Sequence, residues 1–447
     1  MGAETTSPWL AQLRRTRPVT ELRESDAADV AIIGGGIAGI STAYFVLERT
    51  DLDVVLLEKD LVAGGATGHN AGQVVAAFEV PYPELVERYG AALVEQGLAE
   101  TFEGWKHLRD MLKYIDAEEL LQDVQGHLAL SSLEDLQGRL EEGAPAGTRG
   151  QVLIADDIIK EVPSIPKGVR AVTREGLLEA LWSRDPRYIA AMGTRVGTIN
   201  SAVLAEKLAE RLAERYGNRF RIYERSAASS VRLGDRAAVK VNGHAVHAGS
   251  VVMCTNGYPE PRYEACAFPV GKGAVRGVEG YMIGKYSSAG SPGVKVFFPG
   301  PSGNGPYYYV TRRRFGDRWL TSAGGPDLQL RPGEGPEDES LRDEEFYGLI
   351  EGFMARTVQG YEGPRDVQWK GLMGYTSPNV RLVGQDPGNG ALYYNLGCNG
   401  IGILTSVAGG LRISRLLEGE VLPPSMFDPA LLMSGRKASS SSSSSVR

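Results

Sequence analysis

Cysteine is scarce: Cys254, Cys266 and Cys398 are the only three in 447 residues, and none stands in a CxxC pair. That excludes a disulfide framework and the paired-thiol metal and redox motifs. Histidine is nearly as rare, with five, and none has Cys or Asp partners at ligand spacing, so no metal site is expected. Long apolar runs are missing too. The one uncharged stretch long enough to raise the question of a membrane span, residues 30–47, contains Gly34, Gly35, Gly36 and Gly39. It suits a buried strand, turn and helix better than a span. No secretion signal is visible, because Pro18 and an acidic stretch follow basic Arg14, Arg15 and Arg17 where an apolar segment should stand. The mild formal charge of −7 speaks against nucleic acid as a partner. These absences predict a soluble, cytoplasmic protein without a transmembrane segment. Contact with a membrane surface and the oligomeric state stay open.

Glycine is abundant instead, at 57 residues, which points to many turns and close approaches of backbone to something else. Apolar residues make up 42%, enough for a substantial core in a chain of this length. Parallel-sheet signals sit at the start, middle and end, and antiparallel signals fill the gaps. The reading is an α/β protein with an α+β insertion. A Rossmann-like cofactor domain is assembled from residues 29–110, 190–265 and 366–425. A mixed or antiparallel-sheet substrate domain takes 111–189 and 266–365, with Cys266 at its start. Residues 1–28 read as an arm anchored by Trp9 and Leu10, and 434–447, largely serine, as a disordered tail.

The strongest motif is a GxGxxG formed by Gly34, Gly36 and Gly39, with Ile37 and Ala38 inside it. It follows an apolar strand and opens a helix, and Glu58 lies 24 positions after Gly34 at the end of the next strand. Gly34 permits the turn, Gly36 lets backbone approach a pyrophosphate, and Gly39 lets helix and strand pack closely. Glu58 accepts hydrogen bonds from a ribose. This constellation implies an adenine dinucleotide and leaves NAD and FAD unseparated. The next segment, 64–74, holds four glycines among small polar residues directly after the second strand. So permissive a chain suits an extended cofactor's pyrophosphate and ring, and an NAD fold has no need of it here.

With that loop the sequence resembles the FAD-dependent D-amino acid oxidase and glycine oxidase superfamily. It is nearest the amine-oxidising branch of γ-glutamylputrescine oxidase and of sarcosine and dimethylglycine oxidoreductases. Residues 66–73, 250–258, 307–325, 369–384 and 390–403 carry the resemblance, in order along the chain. It implies an FAD site in which Gly34, Gly36 and Gly39 meet the pyrophosphate, and Glu58 and Lys59 the adenosine ribose. Gly65, Ala66, Thr67, His69, Asn70, Ala71, Gly72 and Gln73 would run beneath the flavin, and Ala228 would offer backbone to the adenine. Thr255, Asn256 and Gly257 would close the middle. Gly371, Cys398, Gly400, Ile401 and Gly402 would lie at the ring, the last three aiming helix-start amides at its C2 carbonyl. His69 resembles the histidine that bonds covalently to flavin in dimethylglycine-type relatives, but Gly68 replaces their Trp, so free FAD is the favoured reading.

The substrate side is read from the same resemblance. Lys272 and Lys370 are the candidates for a lysine that helps oxygen react. Arg312, within an Arg-rich strand with Arg313, Arg314 and Arg318, is the candidate carboxylate clamp. Tyr309, with Tyr307, Tyr308, Trp369 and Tyr394, is a candidate aromatic wall. The implied activity is oxidation of an amine or amino acid by hydride transfer from the α carbon to flavin N5. The resulting imine hydrolyses, and oxygen is reduced to hydrogen peroxide, an activity of EC 1.4.3 or 1.5.3 type. Two alternatives are a dehydrogenase that passes electrons to a quinone or carrier protein, and a non-catalytic flavin-binding partner or scaffold.

Overall fold

Asp26–Ile33 ends in four buried apolar residues and Val54–Leu57 is buried throughout, as strands covered on both faces must be. They pair in parallel, Val30 opposite Val54 and Ile33 opposite Leu57. Five parallel strands make the middle of a nine-stranded sheet, in spatial order Phe220–Tyr223, Val54–Leu57, Asp26–Ile33, His244–Met253 and Asn389–Leu396. Leu382–Asp386 closes the edge beyond Asn389–Leu396 antiparallel, and Ala237–Val241, Ala228–Arg232 and Arg262–Glu264 extend from the first half of His244–Met253, on the side away from Asp26–Ile33. This description comes from a computed structural model covering residues 3–141, 149–163, 165–234, 236–264, 269–300, 307–326, 328–329 and 339–432. Cys266 and the serine-rich tail fall outside the described residues.

Helix Ile37–Arg49 links the first two strands and packs against Ile403–Leu417, the last helix. Buried Asn395 stitches the two together. Its amide donates to Thr42 Oγ1 at 3.2 Å and to the Ser406 carbonyl at 3.0 Å. Helix Ser201–Tyr216 is capped by Asn200, whose side chain accepts from the amides of Ala202 and Val203. The arm does pack onto the body: Trp9 is fully buried, edge-to-face with Trp369, and Arg17 reaches the buried carboxylate of Glu224 at 2.7 Å.

Among the described residues the second sheet has eleven strands, and its long members are Leu121–Leu130, Ala190–Ile199, Val275–Ser287 and Val367–Thr376. Here the expected domain boundaries differ from the structure. Gln73–Val75, Ala190–Ile199 and Val367–Thr376 lie in segments assigned to the cofactor domain, yet each pairs antiparallel in the second sheet. Which sheet a strand joins is decided by a distant partner, and the local pattern of side chains does not carry that information.

Side-chain alternation gives this sheet two distinct faces. One carries Tyr281, Ile283, Phe297, Tyr308 and Val310 into a core under helix Glu339–Thr357. The other turns Gly280, Met282, Val296, Phe298 and Tyr309 toward the nine-stranded sheet. The architecture is therefore the α/β cofactor fold with a mixed-sheet insertion. Among the described residues no helix is long and apolar enough to cross a membrane.

Candidate active site

The glycine turn is set by close packing. Gly34 has φ +115°, and a Cβ there would lie 2.5 Å from the carbonyl oxygen of Cys254. A Cβ on Gly39 would collide with the Gly34 carbonyl, so the helix sits as near to the turn as backbone allows. Glu58 reaches back to this turn. Its Oε2 accepts from the Gly35 amide at 2.7 Å and its Oε1 from the Asp60 amide at 2.9 Å. Burial pushes the Glu58 pKa up, and these two amides oppose the rise.

One continuous cleft of about 1190 Å³ begins here and runs between the two sheets. That exceeds the ~300–1,000 Å³ of a pocket for one drug-sized ligand and suits a dinucleotide with a second small molecule. Gly34, Gly36, Ile37, Ala38, Glu58, Lys59 and Ala228 line it, and Lys59 lies 4.7 Å over the ring of Tyr258. Thr255 and Asn256 line its middle. Gly65, Ala66, Thr67, His69, Asn70, Ala71 and Gln73 line the next stretch, with Gly371, Cys398, Gly400, Ile401 and Gly402.

These residues fit FAD on structural grounds. Two helices begin on the cleft, Ile37–Arg49 after Gly36 and Ile403–Leu417 after Gly402, and neither has a side-chain cap. Apart from that of Ile37, which donates to Thr67 Oγ1, their first amides are available to anionic groups such as a pyrophosphate or an electron-rich carbonyl. The Thr255 hydroxyl is buried on the cleft wall without a hydrogen-bond partner. A ligand that bonds it would remove that cost. The loop is pinned from behind: Thr67 Oγ1 accepts from the Ile37 amide at 2.9 Å, and Asn70 donates to Ser201 Oγ at 2.7 Å. His69 Nδ1 lies 2.9 Å from the Gly65 carbonyl, which can only accept, so that nitrogen is the donor. Gly371 has to be glycine for this loop to pass, since its Cβ would stand 2.8 Å from the His69 carbonyl oxygen. Cys398 lines the cleft and is held by backbone. Its sulfur accepts from the Gly374 amide at 3.4 Å, and its own amide donates to Asn256 Oδ1 at 3.0 Å.

Three expected cofactor contacts do not line the cleft. Gly39 is packed on Gly34, Gly72 faces the Trp9 ring, and a Cβ on Gly257 would collide with the Met373 carbonyl. All three are glycines for the sake of protein contacts.

The expected catalytic side chains fare differently. Tyr309 and Tyr307 line the cleft, while Tyr308, Trp369 and Tyr394 are buried in the core. Lys370 does not line it. Lys370 pairs across the strand with Tyr281, on the face under helix Glu339–Thr357, and its ammonium lies 3.1 Å from Asp343 and 3.4 Å from Glu279. Arg312 is on that same far face, stacked 4.3 Å over Trp182 and donating to Thr321 Oγ1. Arg313 points the other way but is buried against Trp9, and burial holds its pKa down at about 10. Lys272 is exposed, outside the lining. The sequence reading missed Glu79, Arg139, Tyr258, Tyr375 and Met373. Glu79, Arg139, Tyr258 and Met373 line the cleft, and Tyr375 hydrogen-bonds to Glu79. Only alternation along Val367–Thr376 offered a signal, and using it requires knowing which face the strand buries. Among the described residues no group of three or more His, Cys, Asp or Glu side chains is placed to hold a metal ion.

Residues 29–416 match the family model described as DAO, FAD dependent oxidoreductase. The chain belongs to this family. Among curated proteins it is similar to γ-glutamylputrescine oxidoreductase of Escherichia coli, 27% identical over 277 residues. That alignment covers 61% of this chain and 60% of the relative, so the chain spans less than two thirds of that relative's length. Human mitochondrial dimethylglycine dehydrogenase matches over 52 residues at 46% identity, 12% of this chain and 6% of the relative. The crystal structure of glycine oxidase from Geobacillus kaustophilus superposes with a TM-score of 0.62 at 17% identity, covering 90% of this chain and 98% of that one. L-proline dehydrogenase from P. horikoshii gives 0.63 at 15% identity, with 92% and 99% covered. At such identities the two structures show the shared fold. The resemblance drawn from the glycine loops is met by the family match.

Proposed function

We propose that the protein oxidises an amine or amino acid at the aromatic wall of this cleft, with FAD held along the rest of it. One observation carries the reading. The turn at residues 34–39, the 65–73 loop and the helix start at 400–402 open onto a single cleft that Phe298, Tyr307 and Tyr309 also line. Bound FAD supplies the two-electron acceptor. The chain supplies everything around it. The apolar side chains of Met282, Val296 and Met373 shield the reacting end from water, and the aromatic rings orient the substrate carbon. Amides at the start of Ile403–Leu417 would favour negative charge on a group held there, as on a reduced flavin. The relatives support this reading through the activities in their names: a γ-glutamylputrescine oxidoreductase and a dimethylglycine dehydrogenase.

The electron acceptor is a separate question. Neither Lys272 nor Lys370 lines the cleft, so the lysine-based reason for expecting rapid reaction with oxygen is absent at those positions. That observation favours a second reading, a dehydrogenase that passes electrons to a quinone or carrier protein. Anaerobic mixing of the FAD-loaded protein with a panel of amines and amino acids tests the activity, and bleaching of the flavin by at least one is expected. Peroxide formed per substrate consumed under air then separates the two readings. A yield near one supports the oxidase, and a yield near zero with fast dye reduction supports the dehydrogenase. Flavin that no amine or amino acid bleaches, although dithionite does, contradicts both.

A further inference from the structure

Glu79 stands on the wall of the cleft, immediately beside the turn that opens the last helix. A Cβ on Gly400 would collide with Glu79 Oε1. The carboxylate is held from two sides: Tyr307 donates to Oε1 at 3.0 Å and Tyr375 donates to Oε2 at 2.9 Å. Its hydrogen bonds come from phenols, while Arg139, which lines the same cleft, lies over the Phe298 ring, 5.0 Å from its centroid. The Glu79 side chain is exposed to the open cleft, while the protein packed around it is dense enough to desolvate it in part. Desolvation pushes its pKa up, and the hydroxyls of Tyr375 and Tyr307 pull it back. A carboxylate so placed and held by phenols gains most from a ligand that brings a counter-ion.

The surroundings suit the same kind of ligand. Tyr307 stacks against Phe298 with ring centroids 6.0 Å apart, and Tyr309 follows at 6.1 Å. All three rings line the cleft, and aromatic faces attract ammonium groups. The arginine expected to clamp a carboxylate, Arg312, is on the opposite face of the sheet.

We propose that Glu79, clamped by Tyr307 and Tyr375 against the Gly400 turn, binds a positively charged nitrogen of the substrate. The site then selects cationic amines over α-amino acids, whose carboxylate it repels. This rests on the reading of the cleft as an amine-oxidising site, and its test is kept separate from turnover. The FAD-loaded protein is titrated with tetramethylammonium, which has no nitrogen lone pair and is not oxidised, and with acetate. Perturbation of the flavin spectrum reports binding of each. Wild type is expected to bind tetramethylammonium at least about tenfold more tightly than acetate, as losing one charged partner implies. Glu79→Gln should weaken tetramethylammonium by about tenfold or more at unchanged flavin content, and Tyr375→Phe should weaken it less. The conservative Glu79→Asp should restore part of the affinity. Wild type that prefers acetate or ignores tetramethylammonium overturns the proposal, as does Glu79→Gln with undiminished affinity. Should Glu79→Gln fail to fold, Tyr375→Phe with undiminished affinity overturns it equally. Absence of amine turnover would instead count against the amine-oxidising reading alone.

Discussion

At the scale of single residues, His69 has the most to decide. Its Nδ1 is committed to the Gly65 carbonyl at 2.9 Å, so any bond to the flavin must be made by Nε2. The ring lines the cleft beside Gly371, close to where the ring end of the cofactor is read. The account favours a non-covalent contact. Acid precipitation of the wild type should therefore release FAD into the supernatant, and His69→Ala should do the same while retaining FAD less firmly through dialysis. Yellow colour that stays in the wild-type pellet and leaves in His69→Ala would show the covalent link instead. The same scale exposes a limit of reading side chains from sequence. Lys370 and Gly371 are neighbours on one strand, yet one pairs with Asp343 on the far face and the other faces His69. A shift of one residue in a strand exchanges the two faces, so no local pattern separated the ion-paired lysine from a catalytic one.

At the scale of elements, the last helix carries a prediction of its own. Ile403–Leu417 begins at Gly402 without a side-chain cap, and residues 400–403 line the cleft. Its unpaired amides favour negative charge at that end, as the reduced cofactor requires. Gly402→Asp should lower the flavin reduction potential, by on the order of 30 mV if the charge costs about 1.4 kcal/mol in the two-electron couple. A Cβ at this position would come 2.8 Å from Cys398 Cβ, so Gly402→Ala is the control that crowds without adding charge. Equal potentials in Gly402→Asp, Gly402→Ala and wild type would show that this turn does not face the ring. Elements of this kind were legible because glycine spells them out. The 34–39 turn, the 65–73 loop and the 397–402 turn are contiguous in the chain, and each demands backbone that only small residues permit. Glu79 was not legible. Its role comes from Tyr307 and Tyr375, 228 and 296 positions away, and no spacing records that meeting.

At the scale of the whole molecule, the cleft exists because two sheets built from interleaved segments face each other. Gln73–Val75 leaves the cofactor loop to pair with Ala190–Ile199, and Val367–Thr376 pairs with Val275–Ser287 before the chain returns to the first sheet at Leu382–Asp386. The fold class could be read from the alternation of parallel and antiparallel signals, whereas the boundaries followed these long-range pairings and could not. The central claim is that the cleft holds FAD with its pyrophosphate over Gly36. A Cβ there would stand 2.9 Å from Thr67 Oγ1, on the wall where the cofactor must pass. The most direct test is the flavin content of purified wild type and of Gly36→Val, measured by absorbance after denaturation. The account predicts a yellow wild type with about one FAD per chain and a folded Gly36→Val that has lost most of it. A colourless wild type that takes up NAD and not FAD, or a Gly36→Val protein with full flavin content, would contradict it.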